Sequence, residues 1–226
     1  MSEANQSGSP TSSRTTVRRL AKRAEYRPEE IRVILRAGTL AHVGVMTDEG
    51  PLVLPMVYGI DDDTMYLHGA IANSLLGAGA DHEICATVTI VDGLVFAKTP
   101  FNHSMNYRSV VVRGRARIIA GEDEARRALR IITDHIVPTW DTLRPPTAND
   151  IRATRVVALP LAEMSAKIRS GGAGNFPEDE NERYWTGHVP VSMVVGAPVT
   201  NVDAHVSVPD AIAALSGTDL HSRQTR

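Results

Sequence analysis

The stretch LAHVGVMTDEGPLVLPMVY, residues 40–58, decides the reading of the fold. Leu40 to Met46 alternates as a strand with one buried face, Asp48-Glu49-Gly50 supplies a turn, and Leu52 to Tyr58 returns as a second strand. Pro55 interrupts the return. A proline cannot donate to a ladder, so its position belongs at an edge, at a bulge, or where the backbone faces something other than a strand.

Similar segments follow in both directions. Asp61 to Asp63 form an acidic turn and Thr64 to His68 a third strand, and a brief helix is predicted within 69–79 around Ser74, Leu75 and Leu76. Ile84 to Val91 and Leu94 to Lys98 flank Asp92-Gly93, which reads as a hairpin turn because both residues tolerate positive φ. Tyr107 to Ile119 is the longest strand, with Arg113, Arg115 and Arg117 on one face and Val112, Ala116 and Ile118 on the other. Thr154 to Leu159 is the last. Two helices flank these strands. One starts at Pro28-Glu29-Glu30, carries Ile31, Ile34 and Leu35 at helical spacing and stops at Gly38. The other spans Glu122 to Val137, with Ala125, Leu129, Ile132 and Ile136 as its apolar stripe. Five or six strands joined mainly by short turns, with helices at the periphery, predict a mainly-β antiparallel barrel and not a βαβ sheet. No glycine-rich phosphate loop with the usual nucleotide-fold signature is present.

A chain of 226 residues suffices for one hydrophobic core. Aromatic residues make up only 4%, so that core is aliphatic. The 24 Lys and Arg nearly balance the 26 Asp and Glu, which removes the electrostatic basis for binding nucleic acid or an anionic membrane. Residues 1–16 are polar with no apolar run, and no segment has the length of a membrane-spanning helix, so a cytoplasmic protein is expected. The expected organisation is a disordered tail over 1–16, a single domain over 17–200 and a weakly ordered tail over 201–226. The domain has its core at about 25–168 and a loop-rich extension at 169–200. A basic segment, Arg14 to Arg23, precedes that core. The lone Cys85 rules out an intrachain disulfide and reads as a buried structural thiol.

Two polar clusters stand out. In Leu67 to Ser74 a strand ends and a helix begins, so Asn73 and Ser74 either cap that helix or help its N–H groups hold a phosphate. Asn102 to Ser109 concentrates hydrogen-bonding groups around Arg108, whose planar fork suits an oxyanion; composition alone leaves open a loop with no ligand. The eight histidines lack metal-ligand spacing, and His103 beside Ser104 is adjacency without a triad, so no metal site and no hydrolytic centre are expected.

The runs GPLVLPMVYG (50–59), LHG (67–69), VTIVDGLVFA (88–97) and above all SMNYRSVVVRG (104–114) closely resemble the flavin-nucleotide-binding branch of the pyridoxamine 5′-phosphate oxidase-like family, to which nitroimidazole-resistance proteins are related. The resemblance runs from about Arg18 to Lys167 and more weakly to Trp185. It implies a six-stranded antiparallel split β-barrel, a homodimer, and FMN in a groove built by both subunits. Carried over, Val53, Leu54, Pro55, Met56 and Val57 would run beside the isoalloxazine. His68, Gly69, Asn73 and Ser74 would line the phosphate and ribityl side, and Lys98, Asn106, Tyr107, Arg108 and Ser109 would complete the site. Relatives look like Ser-Arg where this chain has Asn73-Ser74, so a guanidinium is missing there, and deazaflavin or haem stand as alternative cofactors. The resemblance further implies hydride transfer between a reduced nicotinamide and a small organic acceptor, with Tyr58, His68 and Tyr107 as candidate proton donors or substrate-face residues. A non-catalytic flavin-, haem- or deazaflavin-binding protein, or a structural barrel without cofactor, are the other readings.

Overall fold

The computed structural model describes residues 7–70, 83–202 and 205–222. Its elements are, in order, β1 (Ala24–Glu25), α1 (Pro28–Ala37), β2 (Leu40–Thr47), β3 (Gly50–Ile60), β4 (Thr64–Ala70), β5 (Glu83–Phe96), β6 (Ser104–Arg115), β7 (Arg117–Ile118), α2 (Glu122–Ile136), α3 (Ala148–Arg152), β8 (Thr154–Pro160), β9 (Glu163–Arg169), β10 (Gly187–Pro190) and α4 (Asp210–Ala213). The expected helix around Ser74 lies outside the described residues.

All strand pairs are antiparallel, in the order β1-β9-β6-β5-β2-β3-β4-β8-β7, with β10 along β5. The sheet curls because two strands change partner along their length. β3 pairs with β2 as far as Val57 and with β4 from Tyr58 onward. β6 lies between β5 and β9, and the chain then passes through the buried Ala116 into β7, which pairs with β8. Six strands (β2, β3, β4, β8, the broken β6–β7 and β5) therefore follow one another around a split β-barrel. β1, β9 and β10 extend it.

Strand alternation fills the interior. Ala41, Val43 and Val45 of β2 face Ile84, Ala86 and Val88 of β5 and Val110 and Val112 of β6, and α1 adds Ile31, Ile34 and Leu35 to the same cluster. Each such side chain fully removed from water contributes about 1.5–3 kcal/mol before entropy is counted. A second cluster lies outside β4 and β8, where α2 seats Ala125, Ala128 and Ile132 on Tyr66, Val156 and Ala158. α2 comes so close to β3 that a Cβ on Gly59 would stand 2.7 Å from the backbone of Ile131 and Ile132.

The structure corrects three local expectations. Asp92-Gly93 is not a hairpin: β5 runs unbroken beside β6 from Glu83↔Arg115 to Val95↔Ser104, and the register shifts between Val91 and Gly93, leaving Asp92 as a bulge. Gly93 is needed there because β10 passes over it, with the Val189 carbonyl oxygen 2.9 Å from where a Cβ would lie. Ile118 is exposed, not core, because the partner switch at Ala116 changes the phase of the strand. Cys85 is half-buried on the outer face of β5, not in the interior. β9, β10 and α3 were not anticipated. Before β1, the chain from Ser7 lies on the barrel: Thr15 is buried, the Val17 N–H donates to the Tyr26 hydroxyl at 2.8 Å, and Arg14 pairs with Glu83 and Glu163. Among the described residues no helix is long and apolar enough to cross a membrane.

Candidate functional site

Among the described residues the split in the barrel leaves one side of β3 without a partner strand. From Gly50 to Val57 the strand pairs only with β2 among the described residues, so its other edge presents unused backbone N–H and C=O groups. Leu52, Leu54 and Met56 point toward the core, and Val53, Pro55 and Val57 point out, Val53 being 58% exposed. Extending the Tyr58↔Leu67 register by one step places His68 opposite Val57, where β3 and β4 part. The Val53–Val57 run and His68-Gly69 therefore form the two lips of one cleft. His68 is half-buried, and desolvation lowers its pKa, leaving the ring neutral at pH 7. Asn73 and Ser74 lie outside the described residues. Tyr58 belongs to the core: it is fully buried, its hydroxyl donates to the Leu35 carbonyl at 2.6 Å, and burial raises its pKa far above the usual phenol range. That hydroxyl is committed and is not available to a substrate.

The second polar cluster is divided between two faces and already occupied by partners. Arg108 donates to both carboxylate oxygens of the bulged Asp92, at 3.0 and 2.7 Å, and this partner raises its pKa. The bulge thus places a counter-charge where sequence reading had a free guanidinium. Asn106 is buried, donating to the Gly171 carbonyl and accepting from Arg169. Lys98 gives its ammonium to the carbonyls of Asp179 and Glu180 at 2.8 and 2.9 Å, which fastens the segment after β9. Tyr107 and Ser109 lie on the outer face, where the Ser109 hydroxyl donates to the Lys167 carbonyl. β2 and β5 separate β6 from β3, about 14 Å at 4.8 Å per strand. One chain therefore does not bring Tyr107 and Ser109 to the β3 cleft.

Between the two lies the outer face of β3, β2, β5 and β6, carrying Val53, Pro55, His42, Gly44, Cys85, Thr87, Thr89 and Tyr107 in cross-strand register. Its middle is made largely of small or apolar side chains, and charge gathers at one corner, where Arg113 stands opposite Cys85 and Arg14 pairs with Glu83. A pocket of about 410 Å³ opens at that corner among Gly44, Met46, Val53, Cys85, Glu83 and Arg113. A second, of about 720 Å³, lies between the β5–β6 connection and the later segment, lined by Lys98, His103, Asp179, Tyr184 and Trp185. Phe96 packs against both His103 and Trp185 there.

These donor sets can be matched to cofactors. A bare strand edge with flat outward residues fits a planar ring that needs backbone hydrogen bonds. No group of three or more metal-ligating side chains occurs among the described residues. A haem needs only an imidazole, and His42, His68 and His103 stand at the outer face, the cleft and the larger pocket, with the His103 ring 3.3 Å from the Ala97 carbonyl. His135 and His221 are committed to the carbonyls of Gly38 and Ala37. Sequence reading missed Arg169, the buried arginine that holds Asn106. The alternation of Met164, Ala166 and Ile168 carried the signal for its strand.

The fold defines a split-barrel protein in which, among the described residues, one edge of β3 is left unpaired. The chain belongs to the pyridoxamine 5′-phosphate oxidase family, whose model matches residues 27–168. Among solved structures it is similar to the flavocytochrome Anf3 from Azotobacter vinelandii, at 36% identity and TM-score 0.88 over 92% of this chain and 99% of that one. It is similar to an FAD- and haem-binding protein from Mycobacterium smegmatis at 29% identity and TM-score 0.82, over 88% and 98% of the two chains. A candidate 5-nitroimidazole antibiotic resistance protein from Bacteroides thetaiotaomicron matches at 26% identity and TM-score 0.55, over 64% and 86%. Comparison with curated proteins finds no match.

Proposed function

We propose that this chain is a flavin-nucleotide- and haem-binding protein that passes electrons between the two groups, and that it works as a homodimer. The observation that carries the reading is the extent of likeness. A match over 92% of the chain necessarily includes residues beyond 168, where the family match stops, and it takes in nearly the whole of a flavocytochrome. The likeness to an FAD- and haem-binding protein extends in the same way, at 88% of the chain.

When bound, a flavin supplies two-electron chemistry and a haem one-electron chemistry. The chain's own residues would bind and orient. The open edge of β3 would pair with the ring's carbonyl and N–H groups. Val53 and Val57 would cover one side of it and exclude water, and the neutral His68 would offer a nitrogen lone pair or an N–H from the opposite lip. Among the described residues His42, His103, His188 and His205 would be further imidazoles for a haem iron. The homodimer is part of this proposal: Tyr107 and Ser109 stand three strands from the β3 cleft of their own chain, and a second copy whose β6 lay along that cleft would supply them.

An absorbance spectrum of the purified protein, followed by titration with FAD, FMN, deazaflavin and haem, tests the reading. Flavin bands together with a haem Soret band, and micromolar or tighter affinity for both, are expected. Binding of neither group would refute it. Reduction of bound flavin by a reduced nicotinamide, with transfer to a small organic acceptor, would add the oxidoreductase step implied by the family resemblance. A cytoplasmic location accompanies this reading.

A further inference from the structure

Arg169 is a buried cation without a counter-ion. It ends β9, is 8% exposed, and lies opposite Tyr107 in the ladder. One terminal nitrogen, Nη1, donates to the Asn106 side-chain oxygen and, at 3.3 Å, to the Gly171 carbonyl, and Nη2 donates to the Gly172 carbonyl at 2.9 Å. Its Nε is buried with no partner. Among the described residues no carboxylate pairs with it. Every acceptor it has is a neutral dipole, and the nearby charge is of its own sign: Arg23 directly precedes Ala24, which pairs with Lys167 of β9, and burial together with that cation lowers the Arg169 pKa. Lys167, two residues back on the same face of β9, adds a third cation to this end of the sheet. Removing a charge from water costs several kcal/mol unless an opposite charge compensates. A fold that buries one guanidinium, brings a second up to it and leaves a donor unused is arranged for an anion supplied from outside.

We propose that Arg169 and Arg23 form an oxyanion seat, at the junction of β9 and the Gly171–Gly174 loop, that takes an anionic group of a bound cofactor. The assignment of a cofactor rests on the functional reading above; the anion seat itself does not. The chemistry is that of a phosphate or carboxylate held by the guanidinium, with Arg23 as second cation. The loop suits such a ligand, since a Cβ at Gly171, Gly172 or Gly174 would meet no atom within 4 Å, which leaves open space around its backbone. The seat is four strands from the β3 cleft of its own chain, about 19 Å at 4.8 Å per strand. It therefore serves the far end of an extended ligand or a ligand held on the cleft of a partner copy. A nucleotide phosphate and a haem propionate share the required chemistry.

The test begins with inorganic pyrophosphate, titrated into the purified full-length protein at constant ionic strength while the melting temperature is followed. Pyrophosphate is expected to raise it where chloride does not. Arg169→Gln, which keeps amide donors for the glycine carbonyls, and Arg23→Gln, on a partly exposed side chain, should each weaken the response at least tenfold. If Arg169→Gln fails to fold, Arg23→Gln carries the test. Ligand arms then name the source. If the seat holds a nucleotide phosphate, Arg23→Gln weakens FMN or FAD at least tenfold and leaves riboflavin unchanged. If it holds a propionate, haem is weakened and its dimethyl ester is not. No pyrophosphate response in the wild type, or a response that survives both substitutions, overturns the seat. Arg23-dependent pyrophosphate binding in a protein that takes neither flavin nor haem would leave the seat standing and remove the functional reading.

Discussion

The barrel and the segment that follows it show two ways of fixing a chain. In the barrel Ile31, Leu35, Val43, Tyr58, Leu67 and Leu159 are entirely out of solvent, and the ladder runs from β2 around to the broken β6–β7 strand. After Arg169 hardly any side chain is buried; Val199, Val202 and Val206 stand fully or nearly fully in solvent. That segment is held from outside itself. β10 lies on β5, Asn175 accepts from the Lys98 N–H, Thr186 donates to the Phe96 carbonyl, and the His221 ring contacts the Ala37 carbonyl. Burial makes the barrel self-sufficient, whereas a segment tethered by hydrogen bonds opens locally at low cost. The likeness to the candidate nitroimidazole-resistance protein covers 64% of the chain, while those to the flavocytochrome and the FAD- and haem-binding protein cover 92% and 88%. The two likenesses of larger extent therefore take in part of the tethered segment as well as the barrel.

The sharpest way to break the barrel is to separate α2 from β3. Gly59→Ala places a methyl 2.7 Å from main-chain atoms of Ile131 and Ile132, which have no rotamer by which to yield. Overpacking of this kind costs about 3 kcal/mol. Urea denaturation should show it as a lowered midpoint, and a loss under about 1 kcal/mol would mean that α2 is not seated as described.

Gly59 also shows what the sequence makes legible. Strands β2, β3, β4 and β8, helices α1 and α2, and the closure into a barrel follow from alternation, helical spacing and turn residues within each segment. What escaped depends on residues distant in sequence. Asp92-Gly93 carries the same signal whether the chain reverses or bulges, and only the partner strand from Ser104 to Arg115 decides between them. That bulge then places Asp92 on Arg108, so the cation read as a ligand contact is half of an ion pair. β10 has no alternation to detect because it is almost wholly exposed. Of the candidate site, the β3 strip and His68 came from the family resemblance alone, and the commitments of Tyr58, Lys98 and Asn106 depend on partners far away in sequence.

A smaller effect within the barrel tests the role assigned to Tyr58. Tyr58→Phe keeps the ring against His135 and leaves the buried Leu35 carbonyl without its donor. A cost of about 1–2 kcal/mol is expected, and cofactor affinity should not change. A tenfold loss of cofactor binding would instead place that hydroxyl in the site.

The pH response should be milder and is also confined to the barrel. Burial lowers the pKa of His135, whose ring bonds to the Gly38 carbonyl, and that of His68. With the folded pKa below the unfolded value of about 6.5, the unfolded chain takes the proton first. The stability from these neutral rings is complete above that pH and declines as the pH falls below it toward the folded pKa. Urea midpoints at successive pH values should fall on acidification, and less steeply in His135→Gln. A midpoint that rises between pH 7 and pH 5.5 would contradict the neutral assignment.

The smallest effect on stability asks most directly whether the two regions are separate. Lys98→Met preserves much of the side chain's length but deletes the donors to the Asp179 and Glu180 carbonyls, releasing the segment near its middle. Barrel burial is untouched, so the urea midpoint should stay within about 0.5 kcal/mol of the wild type. Arg183 lies just beyond those carbonyls and is exposed, so limited trypsin digestion there reads the tether itself. Cleavage should become several-fold faster while the barrel fragment persists, because a protease samples the locally open form. Unchanged cleavage would show that β10 and Asn175 suffice to hold the segment. Faster cleavage with an equal fall in the urea midpoint would show that barrel and segment unfold as one unit, and the division between burial and tethering would then fail.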